Sequence, residues 1–78
     1  EQSYIEDKNL FEALRKLRRQ CADEEGFPAY IVFSDKVLHS LASIKPRTLD
    51  AFSDIPGIGE HKTQKYGPRF VKLIKRFS

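Results

Sequence analysis

Only one short stretch of this 78-residue chain has the composition of a buried β-strand, and the rest of the sequence offers it no partner. The run is Tyr30-Ile31-Val32-Phe33, inside the segment FPAYIVFS at residues 27–34. A lone strand cannot satisfy its backbone hydrogen bonds, because its N–H and C=O groups need a neighbouring strand. The sequence therefore argues against a sheet. We expect this segment to be an apolar connector that fills the core between helices.

The segment before the connector has the periodicity of an amphipathic helix. Its apolar residues recur at intervals of three and four, which places them on one face: Leu10, Phe11, Leu14, Leu17 and Cys21. Asn9 followed by Glu12 resembles a capping box, and Gly26 with Pro28 predicts a helix end near Glu25. Residues 1–8 are polar and lack this periodicity, so we expect them to form a linker or a frayed lead-in.

Four shorter helices are predicted after the connector, each with a recognisable boundary residue. Ser34 caps the second helix and Lys45-Pro46 ends it, Thr48 caps the third, Gly67 closes the fourth at about residues 60–66, and Pro68 begins the fifth. These patterns predict an all-α fold. We expect a compact bundle of five short helices and a single domain over residues 9–78.

The reactive residue types do not form a catalytic or metal-binding pattern. Cys21 is the single cysteine, which excludes an internal disulfide, and its place on the apolar helix face predicts an inert thiol. His39 and His61 have no further Cys or His at ligand spacing, whereas a zinc site needs three or four ligands. We therefore expect no catalytic residue, no metal and no cofactor. No apolar run reaches the roughly 18 residues of a membrane span. The lack of any methionine suggests a fragment of a longer protein.

The C-terminal end of the chain is strongly basic. Residues 61–78 hold six cationic side chains and no acidic one: Lys62, Lys65, Arg69, Lys72, Lys75 and Arg76. Such a patch can face phosphate groups or can be the solvated side of a helix. Both interpretations stay open from the residues alone.

The motif DIPGIG at residues 54–59 also has two interpretations. Gly57 and Gly59 can adopt positive φ and expose helix N–H groups to a phosphate, with Lys62 and Lys65 nearby. This arrangement resembles the hairpin of helix-hairpin-helix proteins. Alternatively, the glycines only allow two helices to meet in a tight turn.

Three blocks of the sequence, in order, resemble the helicase-and-RNase-D C-terminal (HRDC) domain. They are L-R-x-x-R at residues 14–18, P-x-Y-x-V-F-x-D-x-x-L at 28–38 and G-I-G-x-x-K-x-x-x-Y-G-x-x-F at 57–70. The resemblance covers about residues 9–77 and favours the RecQ-type helicase branch over the RNase D branch.

The resemblance implies a five-helix, non-catalytic accessory module of a RecQ-type DNA helicase, active in DNA repair and recombination. It implies weak binding of single-stranded or junction DNA that guides substrate choice. The alternative is a protein-interaction or intramolecular regulatory module that docks on the parent enzyme without binding DNA. The expected partners are DNA and other domains of the helicase, with no membrane and a monomeric state. The expected location is intracellular: the cytoplasm or nucleoid of a bacterium, or a eukaryotic nucleus.

In this family the DNA surface surrounds the connector between the first two helices. The matching candidates are Arg15, Arg18, Arg19, Tyr30, Ser34 and Lys36, next to Asp35. The Tyr30 ring is either an exposed platform for a base or is buried like Phe33. Secondary candidates lie in the turn and the basic end: Gly57, Gly59, Lys62, Lys65, Lys72, Lys75 and Arg76. The acidic side chains of residues 23–25 and of Asp35 would repel phosphate, so we expect weak binding.

Overall fold

The computed structural model describes residues 5–77, which form five α-helices. The helices are α1 Lys8–Glu25, α2 Ala29–Val32, α3 Asp35–Ile44, α4 Leu49–Ser53 and α5 Gly59–Arg76. The predicted all-α bundle of five helices is confirmed, and residues 5–77 contain no β-strand. The expectation for residues 1–4, part of the predicted lead-in, and for Ser78 lies outside the described residues.

The start of α1 differs from the predicted capping box. Asp7, not Asn9, is the N-cap, and its Oδ1 accepts a hydrogen bond from the Leu10 N–H at 3.0 Å. Asp7 also lies 3.4 Å from Lys45 Nζ and donates its backbone N–H to the Ala42 carbonyl at 3.2 Å. These contacts fasten the first turn of α1 to the end of α3. The last residues assigned to the lead-in therefore contact the helical body.

The connector contains a one-turn helix, which the strand-like composition of residues 30–33 did not predict. Pro28 is the N-cap of α2 with an extended backbone, and the Phe33 N–H closes the turn on the Ala29 carbonyl at 3.4 Å. Val32 and Phe33 are fully buried, as expected for a segment that fills the core. The Phe27, Tyr30 and Ile31 side chains of the connector are instead exposed.

The predicted fourth and fifth helices form one continuous helix, α5. Gly67 does not end a helix, and Pro68 lies in the interior of α5 rather than at its start. The buried residues form a single stripe at helical spacing across the proline: Thr63, Tyr66, Gly67, Phe70, Val71 and Ile74. Burial of this stripe on both sides of Pro68 offsets the one backbone hydrogen bond that proline cannot donate.

Phe33 is at the centre of the core. Its ring makes edge contacts with three others, at centroid distances of 5.0 Å to Phe70, 5.6 Å to Tyr66 and 6.0 Å to Phe52. These rings belong to α4 and α5, so the connector is held against the C-terminal half of the domain. Edge-to-face geometry is the preferred arrangement of aromatic pairs. The buried Phe33 therefore fixes the position of α2 on the surface.

Candidate nucleic-acid interface

Tyr30 is the most exposed aromatic side chain among residues 5–77. Its exposed fraction is 68%, whereas Val32 and Phe33 on the same segment have none. Of the two alternatives for Tyr30, the structure selects exposure. Because Val32 and Phe33 are buried in the core and hold α2 against it, the Tyr30 ring extends from a helical turn rather than from a free loop. A rigidly placed ring loses little conformational entropy when a planar ligand stacks on it.

Two surface hollows border the α2 turn, one lined by the residue before Tyr30 and one by the residue after it. The first, which we term the basic hollow, has a volume of about 190 Å³ and is lined by Glu12, Arg15, Lys16, Arg18, Arg19 and Ala29. Arg15 is paired with Glu12 at 3.4 Å, and both side chains are exposed. Lys16 and Arg19 make no ion pair with any of residues 5–77. Their charges remain available to an anion.

Arg18 differs from the other candidates of α1 because it is largely buried and is bonded within the chain. Its exposed fraction is 8%. Its Nη1 donates to the Phe33 carbonyl at 3.0 Å and to Asp35 Oδ1 at 2.8 Å. Arg18 Nε is buried and has no hydrogen-bond partner among residues 5–77. The guanidinium is thus used to join α1 to the segment between α2 and α3.

The residues at the start of α3 divide between structural and open positions. Ser34 Oγ accepts the Val37 N–H at 3.2 Å, so the predicted N-cap is confirmed and its hydroxyl oxygen serves the helix. The hydrogen bond from Arg18 holds the pKa of the Asp35 carboxyl below its ordinary value. Asp35 is therefore a fixed negative charge beside the basic hollow. Lys36 is exposed and makes no ion pair within residues 5–77.

The second hollow was not anticipated from the sequence. This aromatic hollow has a volume of about 210 Å³ and is lined by Phe27, Ile31, His61, Lys62, Lys65 and Tyr66. Phe27 and Ile31 are 42% and 43% exposed. The sequence predicts that the whole segment at residues 27–34 is a connector that fills the core, and it does not separate the buried residues of this segment from the exposed ones. Phe27 precedes the extended N-cap Pro28 and so lies outside α2, and no helical spacing in the sequence groups it with Ile31.

The two lysines of the aromatic hollow have partners in the folded chain. Lys65 Nζ forms an ion pair with Glu25 Oε1, and the hydrogen bond that Lys65 donates to Glu25 raises the pKa of Lys65. Lys62 Nζ lies 5.6 Å from the centroid of the Phe33 ring, a cation–π distance. Both cations are fixed near the connector, but only Lys62 lacks a carboxylate partner within residues 5–77.

The two glycines of DIPGIG have different local roles. At Gly57, φ is +94°, and a Cβ there would lie 2.9 Å from Val37 Cγ2, so the glycine allows the turn to approach α3 closely. Gly59 has φ of +70° with open space around it and is the first residue of α5. Glu60 places a negative charge in that first turn, which opposes a phosphate there. These features favour the tight-turn interpretation.

The basic residues of the C-terminal end lie in two places, and two of them, Lys62 and Lys65, line the aromatic hollow beside α2. Lys72 and Arg76 line a groove between α1 and α5, whereas Lys75 is exposed outside it. Arg69 is held by Glu24 through contacts of 3.0 and 3.3 Å. The candidate residues therefore separate into a face around α2 and a face along α5.

The remaining reactive residues have structural surroundings. Cys21 is 1% exposed, and burial raises the pKa of its thiol. His39 stacks on Phe11 at a centroid distance of 4.4 Å, and its Nδ1 lies 2.8 Å from Glu6 Oε1. Residues 5–77 contain no group of three or more His, Cys, Asp or Glu placed to hold a metal ion. None of their helices is long and apolar enough to cross a membrane.

Comparison with known proteins agrees with the resemblance found in the sequence. The family described as HRDC domain matches residues 7–74. The chain is 41% identical over 70 residues to the ATP-dependent DNA helicase RecQ of Pasteurella multocida, covering 90% of this chain and 11% of that protein. It is 38% identical over 73 residues to RecQ of Bacillus subtilis, covering 94% of this chain and 12% of that protein.

Two further comparisons extend this relationship. The ATP-dependent DNA helicase UvrD2 of Mycobacterium tuberculosis is 36% identical over 69 residues, covering 88% of this chain and 10% of that helicase. A solved structure, D. radiodurans RecQ HRDC domain 3, superposes with a TM-score of 0.83 and 41% identity, covering 87% of this chain and 90% of that chain. The chain thus spans 11% and 12% of the two RecQ relatives but nearly all of a solved HRDC domain. It belongs to the HRDC domain family.

Proposed function

We propose that this HRDC domain is a non-catalytic accessory module that binds single-stranded or junction DNA weakly and positions it for an attached ATP-dependent DNA helicase. The observation that carries the proposal is the exposed Tyr30 ring on the rigid α2 turn, with the basic hollow on one side and the aromatic hollow on the other. The relatives named above are DNA helicases, which supports the helicase branch. Both RecQ and UvrD2 are represented, and we favour a RecQ-type parent because of the structural match.

The binding mode follows from the chemistry of this face. A base stacks on Tyr30, an interaction worth about 1–3 kcal/mol per base. Arg19 and Lys16 contact the neighbouring phosphates, releasing counterions. Lys36 and the exposed Phe27 and Ile31 extend the same surface, whereas the carboxylates of Asp35 and of Glu25, the partner of Lys65, reduce its positive potential. Weak, salt-sensitive binding with little sequence preference is the expected result.

Fluorescence anisotropy with a labelled oligothymidylate at two salt concentrations tests this proposal. We expect Tyr30→Ala to weaken binding by about tenfold or more, and Tyr30→Phe to retain most of the affinity because the ring remains. Arg19→Ala should reduce both the affinity and its salt dependence. Absence of binding at low salt, or equal affinity of Tyr30→Ala and the wild type, would overturn the proposal.

A second function, docking on a protein surface of the parent enzyme, is favoured by a separate observation. The groove between α1 and α5 has an aliphatic floor, and no aromatic side chain of residues 5–77 lines it. This composition suits a peptide better than a nucleotide. In either role the domain would be located with the DNA that its helicase processes, in the bacterial cytoplasm or nucleoid or in a eukaryotic nucleus, and would act as a monomer.

A further inference from the structure

A groove of about 390 Å³ runs between α1 and α5. Its lining is Ala13, Lys16, Leu17 and Gln20 from α1, with Arg69, Lys72, Leu73 and Arg76 from α5. Each set follows the spacing i, i+3, i+4 and i+7, so each helix contributes one face over two turns. At 1.5 Å per residue, the α1–α5 groove is about 10 Å long. This length matches about two turns of a third helix.

The floor of the α1–α5 groove is aliphatic. Leu17 and Leu73 are partly buried and pack on the hydrophobic core, and Ala13 lies one turn before Leu17. The short Ala13 side chain leaves room above it. The floor therefore fits an apolar side chain, and it offers no ring on which a base could stack.

The rim of the groove is cationic on both sides. Lys16 comes from α1, and Arg69, Lys72 and Arg76 come from α5. Glu24 neutralises Arg69, but Lys16, Lys72 and Arg76 make no ion pair with any of residues 5–77. No acidic side chain of residues 5–77 lines the groove. Its charge therefore complements a ligand that carries several carboxylates.

We propose that the α1–α5 groove binds an acidic amphipathic helical segment of a protein partner. The apolar stripe of such a helix packs on Leu17 and Leu73, and its flanking carboxylates pair with Lys16, Lys72 and Arg76. Helix-in-groove recognition uses this spacing of apolar anchors. The inference rests on the protein-docking function. Among residues 5–77 the groove and the two hollows beside α2 have one lining residue in common, Lys16, so variants at other positions test peptide binding and DNA binding separately.

An anisotropy titration of the 78-residue chain with a labelled synthetic peptide tests the groove. The probe has about two heptads, with Leu at i, i+3, i+4 and i+7 and Glu at the other positions. We expect salt-sensitive binding that Lys72→Glu weakens by about tenfold, because the reversed charge repels the peptide. The matched control is Lys75→Glu, which makes the same charge change on α5 outside the groove and should weaken binding by less than about threefold.

Two further arms separate groove binding from general charge attraction. Ala13→Leu fills the floor without changing the charge and should also weaken peptide binding, while Tyr30→Ala should leave it unchanged. No binding at low salt, or equal losses in Lys72→Glu and Lys75→Glu, would overturn the inference. An oligothymidylate that displaces the peptide and loses affinity in Lys72→Glu would assign the groove to DNA instead. Loss of DNA binding in Tyr30→Ala with peptide binding retained keeps the two proposals distinct.

Discussion

Arg18 and Asp35 are joined by a hydrogen bond of 2.8 Å that ties the middle of α1 to the first residue of α3. The same nitrogen of Arg18 donates to the Phe33 carbonyl at 3.0 Å. Arg18→Ala removes this donor and leaves a buried carbonyl without it. We expect the free energy of unfolding to fall by about 2–3 kcal/mol, measured by urea denaturation followed by circular dichroism.

The matched control for Arg18 is its neighbour. Arg19 is exposed, so Arg19→Ala should change the free energy of unfolding by less than about 0.5 kcal/mol. The two variants are thus expected to separate stability from ligand binding: Arg18→Ala unfolds more easily, and Arg19→Ala binds DNA less well. An Arg18→Ala protein of wild-type stability with weakened DNA affinity would return Arg18 to the binding surface.

Gly57 is a second position at which we expect one substitution to lower the free energy of unfolding. A Cβ at Gly57 combines a left-handed backbone with a 2.9 Å approach to Val37 Cγ2, a buried and branched side chain. Gly57→Ala should therefore lower the free energy of unfolding by about 2–4 kcal/mol. Gly59→Ala, also at positive φ but in open space, should cost only about 1 kcal/mol. Equal destabilisation in thermal or urea unfolding would show that packing on Val37 contributes nothing.

The first helix shows how far residue spacing alone can locate buried and exposed positions. Leu10, Leu14 and Cys21 were predicted to be buried and are buried. Arg18 follows Leu14 by four residues and so lies on the same stripe, but its charge placed it among the DNA ligands. The four-residue spacing from Leu14 therefore predicts that Arg18 is buried. The sequence could not show that Arg18 is bonded within the chain, because the groups that accept hydrogen bonds from its Nη1 lie 15 and 17 residues away.

The errors at the connector and in α5 have a different cause. Gly67-Pro68 is a strong local signal for a helix end, yet a Cβ at Gly67 would lie 2.9 Å from Leu49 Cδ2, so the glycine serves the packing of α4 on α5. Tertiary contacts outweighed the local preference of the chain. Likewise, Tyr30 and Phe33 are equally suited to a core, and only the one-turn helix α2 separates them. Neither the continuity of α5 nor the exposure of Tyr30 could be predicted without the positions of the other helices.

Acid should weaken the domain through Asp7. The backbone hydrogen bond from Leu10 holds the pKa of Asp7 below its ordinary value of 3.8, and Lys45 adds to this effect. The unfolded chain therefore binds the proton first, so the contribution is present above pH 3.8 and is lost as the pH falls through the lower folded-state pKa.

Asp7→Asn tests this contribution, because asparagine keeps an N-cap acceptor but cannot ionise. We expect its melting temperature to lie below that of the wild type at about pH 7 and to converge with it at about pH 2. Thermal unfolding by circular dichroism measures both. A constant difference at the two pH values would mean that the cap geometry, not the charge, is responsible.

Glu25 limits the positive charge of the aromatic hollow. Its Oε1 is paired with Lys65, and its Oε2 accepts the Tyr66 hydroxyl at 3.0 Å. On the basis of the proposed DNA site, we expect Glu25→Gln to raise the affinity for oligothymidylate, because Lys65 is released while an acceptor for Tyr66 remains. One added phosphate contact would steepen the slope of log affinity against log salt concentration by about 0.7. Anisotropy titrations over a series of salt concentrations measure this slope.

Glu24→Gln is the control for Glu25→Gln, since it makes the same change in net charge one residue away. Glu24 holds Arg69, which lines the α1–α5 groove and not the aromatic hollow. Removing the Glu24 charge changes the electrostatic potential at the aromatic hollow only from a distance, and this effect is screened over about 10 Å at moderate salt. The affinity for oligothymidylate should therefore rise less than in Glu25→Gln, with an unchanged slope. Equal slopes in the two variants would place the phosphate contact outside the aromatic hollow, and a larger effect of Glu24→Gln would move DNA to the α1–α5 groove.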